Sequence, residues 1–517
     1  MTHPAPVDPP VFAHSEAAAL LHEAPAAPSK AKYLVLGVAA FALIGSGVCL
    51  MATKSAAANH VAAPAAAVVE SPIIEAFNAS ALMAATMDLA ALSDPETMVP
   101  ALTFLAVGDW GSTMYKEYGV PGSCCRMYQG RVDTRMPRYK VDYYAQKYVA
   151  NLMAQSANEL KPIRILGHGD NFYWDGIGPW DAAYRFAETF EKMYADPAFD
   201  GIKWLNVVGN HDLGGSAFIC GEQDDRWREC KSTDELLFYL RSKFSLQANY
   251  KSPNKDRWVM KNHYYVERVE KNGVTVDVFN IDTNHADAHG ARQVCCQCFG
   301  YSAKLGLNNH ACESANIGDP TCAGGNRDMF AACMAEIESW AQDSYTQASR
   351  DIKASTADYK IINTHYSPHH HMNPMTMQKW YHLTKDTGVH VWFNGHTHGF
   401  SHDTSVWGTH FFENGGGGGI RTDSDSSMDN GFVKTQWVAG GTPYGFMELS
   451  VSKEWLKVQF VTFDRKWQFG GMDLKATVTG GLQRGHCWYI PGGNSTGAYA
   501  GKECKSSINY AIGAPLR

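Results

Sequence analysis

Short apolar runs recur along the chain from residue 102 onward, and amphipathic stretches separate several of them. Six runs have the length and the β-branched or aromatic content of buried strands: Thr103–Val107, Ile163–Leu166, Trp204–Val208, Val274–Ile281, Tyr359–Ile362 and Val389–Phe393. Four stretches have helical periodicity: Tyr139–Leu160, Trp180–Tyr194, Met329–Ala348 and Met375–Thr387. Strands that alternate with helices are typical of a layered domain, so the pattern predicts an α/β fold.

The later strands follow one another without helices between them. Thr409–Phe412, Tyr444–Val451 and Leu456–Phe463 have strand patterns, which predicts a meander at this end of the fold. We therefore expect one large domain at residues 101–475, a cysteine-rich insertion at about 285–335 within it, and a C-terminal extension at 476–517.

The N-terminal part of the chain has a different composition and a different hydrophobic pattern. Tyr33–Thr53 is an uncharged, largely apolar run of 21 residues, which is long enough to span a bilayer. A cleaved signal peptide is the alternative, although its apolar region should be shorter and nearer the start. Lys30 and Lys32 precede the run and Lys54 follows it, which favours a cytosolic N terminus. We predict a disordered cytosolic tail (1–31), a transmembrane signal-anchor (32–54) and an Ala-rich stalk (55–100).

The cysteines indicate an oxidising compartment. Of the 13 cysteines, Cys49 lies in the apolar run and the other twelve follow residue 120. Cys295 and Cys298 have Cys-x-x-Cys spacing without a second such pair, so zinc-ribbon spacing is absent and disulfides are favoured. The triplets that begin at Asn78 and Asn494 match the Asn-x-Ser/Thr pattern of glycosylation acceptors. The prediction is a single-pass type II membrane protein whose main domain is extracellular or lumenal, or a secreted protein if the N-terminal segment is cleaved.

Composition narrows the class of partner. The chain has 517 residues, of which 19% are charged and 12% are aromatic, as in globular proteins. The net charge is −7 and no basic run is present, which argues against nucleic-acid binding.

Polar clusters follow five of the predicted strands. They are Gly108-Asp109-Trp110-Gly111, Gly169-Asp170-Asn171-Phe172-Tyr173, Gly209-Asn210-His211-Asp212, Thr364-His365, and Gly395-His396-Thr397-His398. In α/β folds the carboxyl ends of the strands border the crevice in which ligands bind. The five clusters are therefore expected to converge on one site.

The donor types in these clusters suit metal ions. The candidate ligands are Asp109, Asp170, Tyr173, Asn210, His365, His396 and His398. Together they offer three anionic oxygens, an amide oxygen and three imidazoles, enough for two metals that share Asp170. Four of the five clusters also have a plain structural interpretation: a turn at Asp170 or Asn210, a helix cap at Asp109, and a satisfied core histidine at His365.

The same clusters resemble the sequence blocks of the metallophosphoesterases, and within them those of the purple acid phosphatases. The blocks Asp-x-Gly, Gly-Asp-x-x-Tyr, Gly-Asn-His-Asp and Gly-His-x-His occur in order, and Ile362-Asn363-Thr364-His365 is a looser match to the remaining block. The similarity is greatest to the small, tartrate-resistant type and runs from about Leu102 to about Phe469. It implies a four-layer α/β/β/α sandwich.

The resemblance also implies roles for individual residues. Iron(III) would be held by Asp109, Asp170, Tyr173 and His398. A second divalent metal (iron, zinc or manganese) would be held by Asp170, Asn210, His365 and His396. The implied activity is that of an acid phosphatase, in which metal-bound hydroxide attacks the phosphorus of a phosphomonoester. His211 would donate a proton to the leaving alcohol or hydrogen-bond the phosphate, and Asp212 would orient His211.

Two other functions remain open at this stage. In related phosphodiesterases a histidine usually stands where this chain has Gly111, and the equivalent of Tyr173 is missing, so phosphodiester hydrolysis is the alternative activity. The other alternative is a surface protein that uses the same fold without catalysis, which predicts that some ligands are lost.

Three loops carry further expectations. One of His369, His370 and His371 is expected at the substrate mouth, and the other two in a solvated loop. The cysteine-rich insertion is expected to cover the crevice and to be held by disulfides. The run Gly415–Gly419 fits either a close backbone approach to the site or a flexible loop.

Overall fold

The computed structural model describes residues 92–111, 126–127, 131–132, 145–221, 227–287, 289–419, 424, 427–440, 443–464, 481–493 and 501–508. The predicted tail, the predicted anchor at 32–54, most of the stalk, Cys49, Asn78 and Asn494 lie outside these residues. Within the described ranges no helix is both long and apolar enough to cross a membrane.

The strands are numbered in chain order. They are β1 (Leu102–Val107), β2 (Arg126–Met127), β3 (Arg131–Val132), β4 (Arg164–Gly167), β5 (Lys203–Asn206), β6 (Cys220–Gly221), β7 (Trp227–Arg228), β8 (Trp258–Val259), β9 (Tyr264–Lys271), β10 (Val274–Ile281), β11 (Tyr359–Asn363), β12 (Val391–Asn394), β13 (Phe400–Ser405), β14 (His410–Asn414), β15 (Val433–Val438), β16 (Phe446–Val451), β17 (Trp455–Phe463), β18 (Leu482–Pro491) and β19 (Lys502–Glu503). All six apolar runs predicted as buried strands form strands, with small shifts at their ends.

The helices are numbered in the same way. They are α1 (Ala145–Leu160), α2 (Ala182–Arg185), α3 (Thr233–Ala248), α4 (Ala291–Cys296), α5 (Cys298–Lys304), α6 (Arg327–Ala354), α7 (Pro368–His371) and α8 (Pro374–Thr387). The stretch predicted as one helix at Trp180–Tyr194 is instead α2 followed by a π-helical turn at Phe186–Glu191. That turn buries both Phe186 and Phe190 in the core.

Two large sheets form the centre of the fold. Sheet I has the strand order β19-β18-β17-β16-β1-β4-β5-β8, and sheet II has the order β15-β13-β14-β12-β11-β10-β9. In sheet I, β1, β4, β5 and β8 are parallel, whereas β16, β17 and β18 form an antiparallel meander. Of the three segments predicted to form a meander, β16 and β17 belong to it, whereas β14 lies in sheet II and pairs in parallel with β12. β18 and β19 lie beyond residue 475, and both belong to sheet I. In sheet II, β10, β11, β12 and β14 are parallel.

Successive side chains of β1 point to opposite faces of sheet I, and this shows how the layers pack. Phe104 and Ala106 point into a core shared by the two sheets, which also contains Val278 of β10. Leu105 and Val107 point the other way, into a core with α1. On the outer face of sheet II, Trp380 of α8 contacts Trp392 of β12 with ring centroids 5.2 Å apart. The order is helix, sheet, sheet, helix, so the chain has the mixed α/β fold predicted for it.

Disulfides fasten the insertion and the C-terminal strands. Among the described residues, three bridges lie within the cysteine-rich region and two lie elsewhere. The pairs are Cys220–Cys230, Cys295–Cys333, Cys296–Cys322, Cys298–Cys312 and Cys487–Cys504. Cys124 and Cys125 lie outside the described residues. The prediction of disulfides is confirmed, and such bonds are typical of domains that face the secretory or extracellular space.

Candidate metal centre

The seven candidate ligands meet at one edge of the two sheets. Each stands in the loop that follows a parallel strand: β1, β4 and β5 in sheet I, and β11 and β12 in sheet II. Their side chains form two small groups of donor atoms that share a neighbour in Asp170. The crevice at the strand ends is therefore a candidate metal centre.

The first group joins a carboxylate, a phenol and an imidazole. Tyr173 Oη lies 3.1 Å from Asp109 Oδ1 and 3.1 Å from His398 Nε2, and the latter two atoms are 3.3 Å apart. Ligand atoms that bind one cation at about 2.0–2.2 Å lie roughly 3 Å from each other. The three atoms thus have the separations expected of ligands to one ion.

The second group joins an amide oxygen and two imidazoles. Asn210 Oδ1 lies 3.2 Å from both His365 Nε2 and His396 Nδ1, and these two nitrogens are 3.3 Å apart. His365 Nδ1 donates a hydrogen bond to the carbonyl oxygen of His168, 2.7 Å away. His365 Nε2 therefore carries a lone pair toward the group, which is the tautomer that a metal needs.

Asp170 lies between the two groups. Its Oδ1 accepts a hydrogen bond from the His211 amide at 3.0 Å and is 3.5 Å from His365 Nε2. Its Oδ2 is buried and has no hydrogen-bond partner among the described residues. Oxygen or nitrogen donors of Asp109, Asp170 and His398 also lie within 4.8 Å of one another. A buried carboxylate oxygen without a partner is costly unless a cation occupies the space beside it.

The charges of the site also favour a cation. Burial raises the pKa of the Asp109 carboxyl and of the Tyr173 phenol well above their ordinary values. Burial lowers the pKa of His398 to about 4, so this imidazole is neutral at physiological pH and able to coordinate. Because Asp109 and Tyr173 are buried, a strongly Lewis-acidic cation is needed to keep both side chains ionised. The oxygen and nitrogen donors of the site are suited to such a cation.

Unusual backbone geometry aims the ligands into the crevice. Asp109, Asp170 and His396 have φ values of 55°, 52° and 74°, a left-handed conformation that turns the chain sharply at each strand end. Gly395 packs so closely on Asp109 that a Cβ would overlap Asp109 Oδ2. A Cβ at Gly419 would likewise overlap the Tyr173 ring. Of the two expectations for the glycine run, the close backbone approach is confirmed.

Contrary to the prediction, the Asp212 carboxylate does not hydrogen-bond the His211 ring. The His211 ring is half-buried, and its Nδ1 lies 2.6 Å from the carbonyl oxygen of Trp174, which accepts its proton. The Asp212 carboxylate instead accepts from the amides of Gly209, Asn171 and Phe172. The expectation that Asp212 orients His211 is therefore wrong. The short helical turn at residues 211–213 directs Asp212 inward, where it ties together the loops after β4 and β5.

Main-chain carbonyls supply support that the motifs did not reveal. The carbonyl oxygens of His168 and Trp174 fix the rings of His365 and His211 respectively. The His168 ring is itself held between Asn363 Oδ1 at 2.6 Å and Asn414 Nδ2 at 3.0 Å. None of these residues was among the predicted ligands, and a carbonyl oxygen leaves no residue-type signal in a sequence.

Two further histidines line the crevice. The His289 ring lies 5.9 Å from the His396 ring, and the His371 ring lies 4.8 Å from it, both measured between centroids. His289 begins the cysteine-rich insertion, so this segment contributes directly to the crevice wall. His369 and His371 have buried side chains, whereas two of the three loop histidines were expected in solvent. The expectation fails because α7 packs its imidazoles against β13 and the crevice.

Comparison with known proteins then gives the family. The profile of the family described as calcineurin-like phosphoesterase matches residues 102–400. The chain belongs to this family. The matched residues include all seven candidate ligands, and the predicted resemblance to purple acid phosphatases is supported by the relatives that follow.

The relatives of this phosphoesterase domain include acid phosphatases of animals and plants. Tartrate-resistant acid phosphatase type 5 of Mus musculus is 28% identical over 189 residues, which cover 36% of this chain and 41% of that protein. Purple acid phosphatase 3 of Arabidopsis thaliana is 22% identical over 384 residues, which cover 72% of this chain and 78% of that protein. The chain thus spans about two fifths of the length of the mouse relative.

One solved structure is also similar to this chain. It is described as GAP50, the anchor in the inner membrane complex of Plasmodium, and is 14% identical with a TM-score of 0.43. The alignment covers 70% of this chain and 85% of that one.

Proposed function

We propose that the protein is an acid phosphatase that hydrolyses phosphomonoesters at a two-metal centre. The proposal rests on the two groups of donor atoms described above, here called donor triangles, with Asp170 between them. The first triangle is formed by Asp109, Tyr173 and His398, and the second by Asn210, His365 and His396. All seven ligands are present, which argues against a surface protein whose centre has been lost. In this proposal residues 101–475 form the phosphatase domain, and the extension at 476–517 completes sheet I.

The chemistry of the donors divides two metals between the triangles. Asp109, Asp170, Tyr173 and His398 would hold iron(III), because a phenolate is a ligand for a hard, strongly acidic cation. Asp170, Asn210, His365 and His396 would hold a divalent ion such as iron, zinc or manganese. Bound in this way, the two cations would supply Lewis acidity toward water and the phosphoryl oxygens.

His211 is the residue that we assign to the leaving group. Its backbone amide holds Asp170 Oδ1, its Nδ1 is engaged by the Trp174 carbonyl, and its Nε2 is the ring nitrogen left to face a bound phosphoester. Its ring centroid lies 4.7 Å from that of Tyr173, so the imidazole stands beside the first group. From there it would hydrogen-bond the phosphate and protonate the departing alkoxide.

Replacing His211 with Ala tests this role. We expect kcat for an alkyl phosphate to fall by about 10²–10³-fold, within the usual contribution of a general acid. For 4-nitrophenyl phosphate, whose leaving group needs little protonation, the loss should be much smaller. Steady-state kinetics on both substrates check this, with His382→Ala, a change at an exposed position, as the matched control. Equal losses on both substrates would assign His211 to phosphate binding rather than to proton transfer.

Phosphodiester hydrolysis is the second candidate function, since the family includes both kinds of esterase chemistry. Gly111 stands against it, because a Cβ at this position would overlap the backbone of Asn171 and Phe172, so the chain leaves no room for the extra histidine of phosphodiesterases. We expect the purified protein to hydrolyse 4-nitrophenyl phosphate at acid pH and bis-(4-nitrophenyl) phosphate far more slowly. A preference for the diester would reject the proposed substrate class.

The cellular setting belongs to the same proposal. The disulfides between described cysteines support a domain in the secretory pathway or outside the cell. We propose that residues 32–54 attach it to the membrane, so that the phosphatase domain faces the lumen or the exterior. Extraction of membranes with alkaline carbonate should leave the chain in the pellet; release into the supernatant would exclude a spanning segment.

A further inference from the structure

A second cluster of metal-binding side chains lies apart from the crevice. His369 and His370, on α7, converge on Asp403 of β13. His369 Nε2 lies 3.2 Å from Asp403 Oδ2, and His370 Nε2 lies 3.5 Å from the same oxygen. None of the three residues belongs to the proposed ligands of the phosphatase centre.

The distances from Asp403 Oδ2 to the two imidazole nitrogens are those of a coordination shell, and the donor atoms of the three residues all lie within 4.8 Å of one another. Four ligands around zinc at about 2.0–2.1 Å stand roughly 3.3 Å apart, which matches both measured separations. A carboxylate oxygen and two imidazole nitrogens are the donors that zinc accepts. The side chains of His369 and Asp403 are 1% and 3% exposed and that of His370 is 10% exposed, so the cluster is sheltered but is reached from solvent at His370.

A second layer of contacts orients these donors. Thr435 of β15 donates a hydrogen bond to Asp403 Oδ1, which leaves Oδ2 directed at the two imidazoles. The His369 ring packs edge-on against Phe411, with centroids 4.9 Å apart. Hydrogen-bonded carboxylates with apolar packing around the histidines are the usual surroundings of bound zinc, because they fix ligand direction and exclude water.

Electrostatics agrees with this arrangement. Burial opposes ionisation of Asp403, yet hydrogen bonds from His369 and His370 outweigh it and hold the pKa of Asp403 below its ordinary range. A cation in place of the two imidazole protons would stabilise the same carboxylate charge.

We propose that His369, His370 and Asp403 bind one zinc-type divalent ion, with water as the remaining ligand, at a site separate from the phosphatase centre. The ion would clamp α7 to β13. The next residue, His371, points the other way, with its Nε2 3.1 Å from Thr397 Oγ1 in the crevice loop. The site would therefore hold in place the helix from which His371 reaches the crevice.

Zinc binding to the full-length protein tests the proposal. Equilibrium dialysis against zinc, followed by elemental analysis, should show about one more zinc per chain in the wild type than in Asp403→Asn or His370→Gln. The His382→Ala variant, which removes an exposed imidazole from the neighbouring helix α8, should bind as much zinc as the wild type. Zinc should also raise the Tm of the wild type and of His382→Ala more than that of the two site variants.

The design separates this site from the phosphatase centre. An Asp170→Asn chain should keep the extra zinc, and the double variant Asp170→Asn/Asp403→Asn should lose it, whether or not the protein is a phosphatase. If Asp403→Asn fails to fold, His370→Gln at the more accessible position carries the comparison. Equal zinc content in Asp170→Asn and in its Asp403→Asn or His370→Gln derivative would overturn the proposal and leave a metal-free hydrogen-bonded trio.

Discussion

Replacement of Asp170 with Asn is expected to lower kcat/KM for 4-nitrophenyl phosphate by at least about 10³-fold, a loss of about 4 kcal/mol of transition-state stabilisation. Asp170 is the carboxylate between the two donor triangles, and its Oδ2 has no hydrogen-bond partner in the described part of the chain. An amide in its place removes the negative charge that two neighbouring cations would share. Steady-state kinetics and elemental analysis should show activity and metal content falling together.

The control for this change is Asp343→Asn, which removes a carboxylate from an exposed position on α6. It should leave both kcat/KM and metal content unchanged. Circular dichroism of both variants establishes whether each chain is folded. A folded Asp170→Asn protein with wild-type hydrolysis would remove the bridging role and, with it, the main support for a two-metal mechanism.

Replacement of Tyr173 with Phe is expected to abolish the visible absorption band of the purified protein. If Tyr173 binds iron(III) as a phenolate, charge transfer from the phenolate to the metal gives the protein its colour. Tyr173 Oη lies 3.1 Å from both Asp109 Oδ1 and His398 Nε2, so this phenol is the one placed among the proposed iron ligands. The visible spectrum, recorded together with iron content, measures the effect.

Tyr366→Phe is the matched control for the colour. Tyr366 is fully buried next to the crevice, and its phenol donates to the carbonyl oxygen of His289 rather than to the ligand groups. This variant should retain the visible band. A wild-type protein that is active, colourless and contains zinc without iron would refute the iron(III) assignment while leaving the phosphatase activity in place.

With the proposed zinc site at His369, His370 and Asp403, helix α7 has two separate roles. His371 faces the crevice, whereas His369 and His370 face Asp403 on β13. Neighbours along a short helix point in different directions, so one loop can serve both places. Metal binding at the second site would then influence the crevice through the placement of α7, without sharing a ligand with it.

The positions of the strands and of the ligand-bearing loops follow from the sequence alone. The apolar runs of β1, β4, β5, β11 and β12 are local patterns, and a polar cluster follows each of them. Because parallel strands in a layered fold end at one edge, the pattern was enough to bring all seven ligands together.

Other features depended on contacts between segments far apart in the chain. His289, the Asp403 cluster and the carbonyl oxygens that orient His365 and His211 were invisible in the sequence, because their partners lie tens or hundreds of residues away or belong to the backbone. Asp212 was misassigned for the same reason, since a helical turn directs its carboxylate at backbone amides. Hydrophobic periodicity and strand-end chemistry are local, and they determined the fold and the ligand set. The partners that orient those ligands were decided only by the packing of the strand-end loops and of the two sheets against each other.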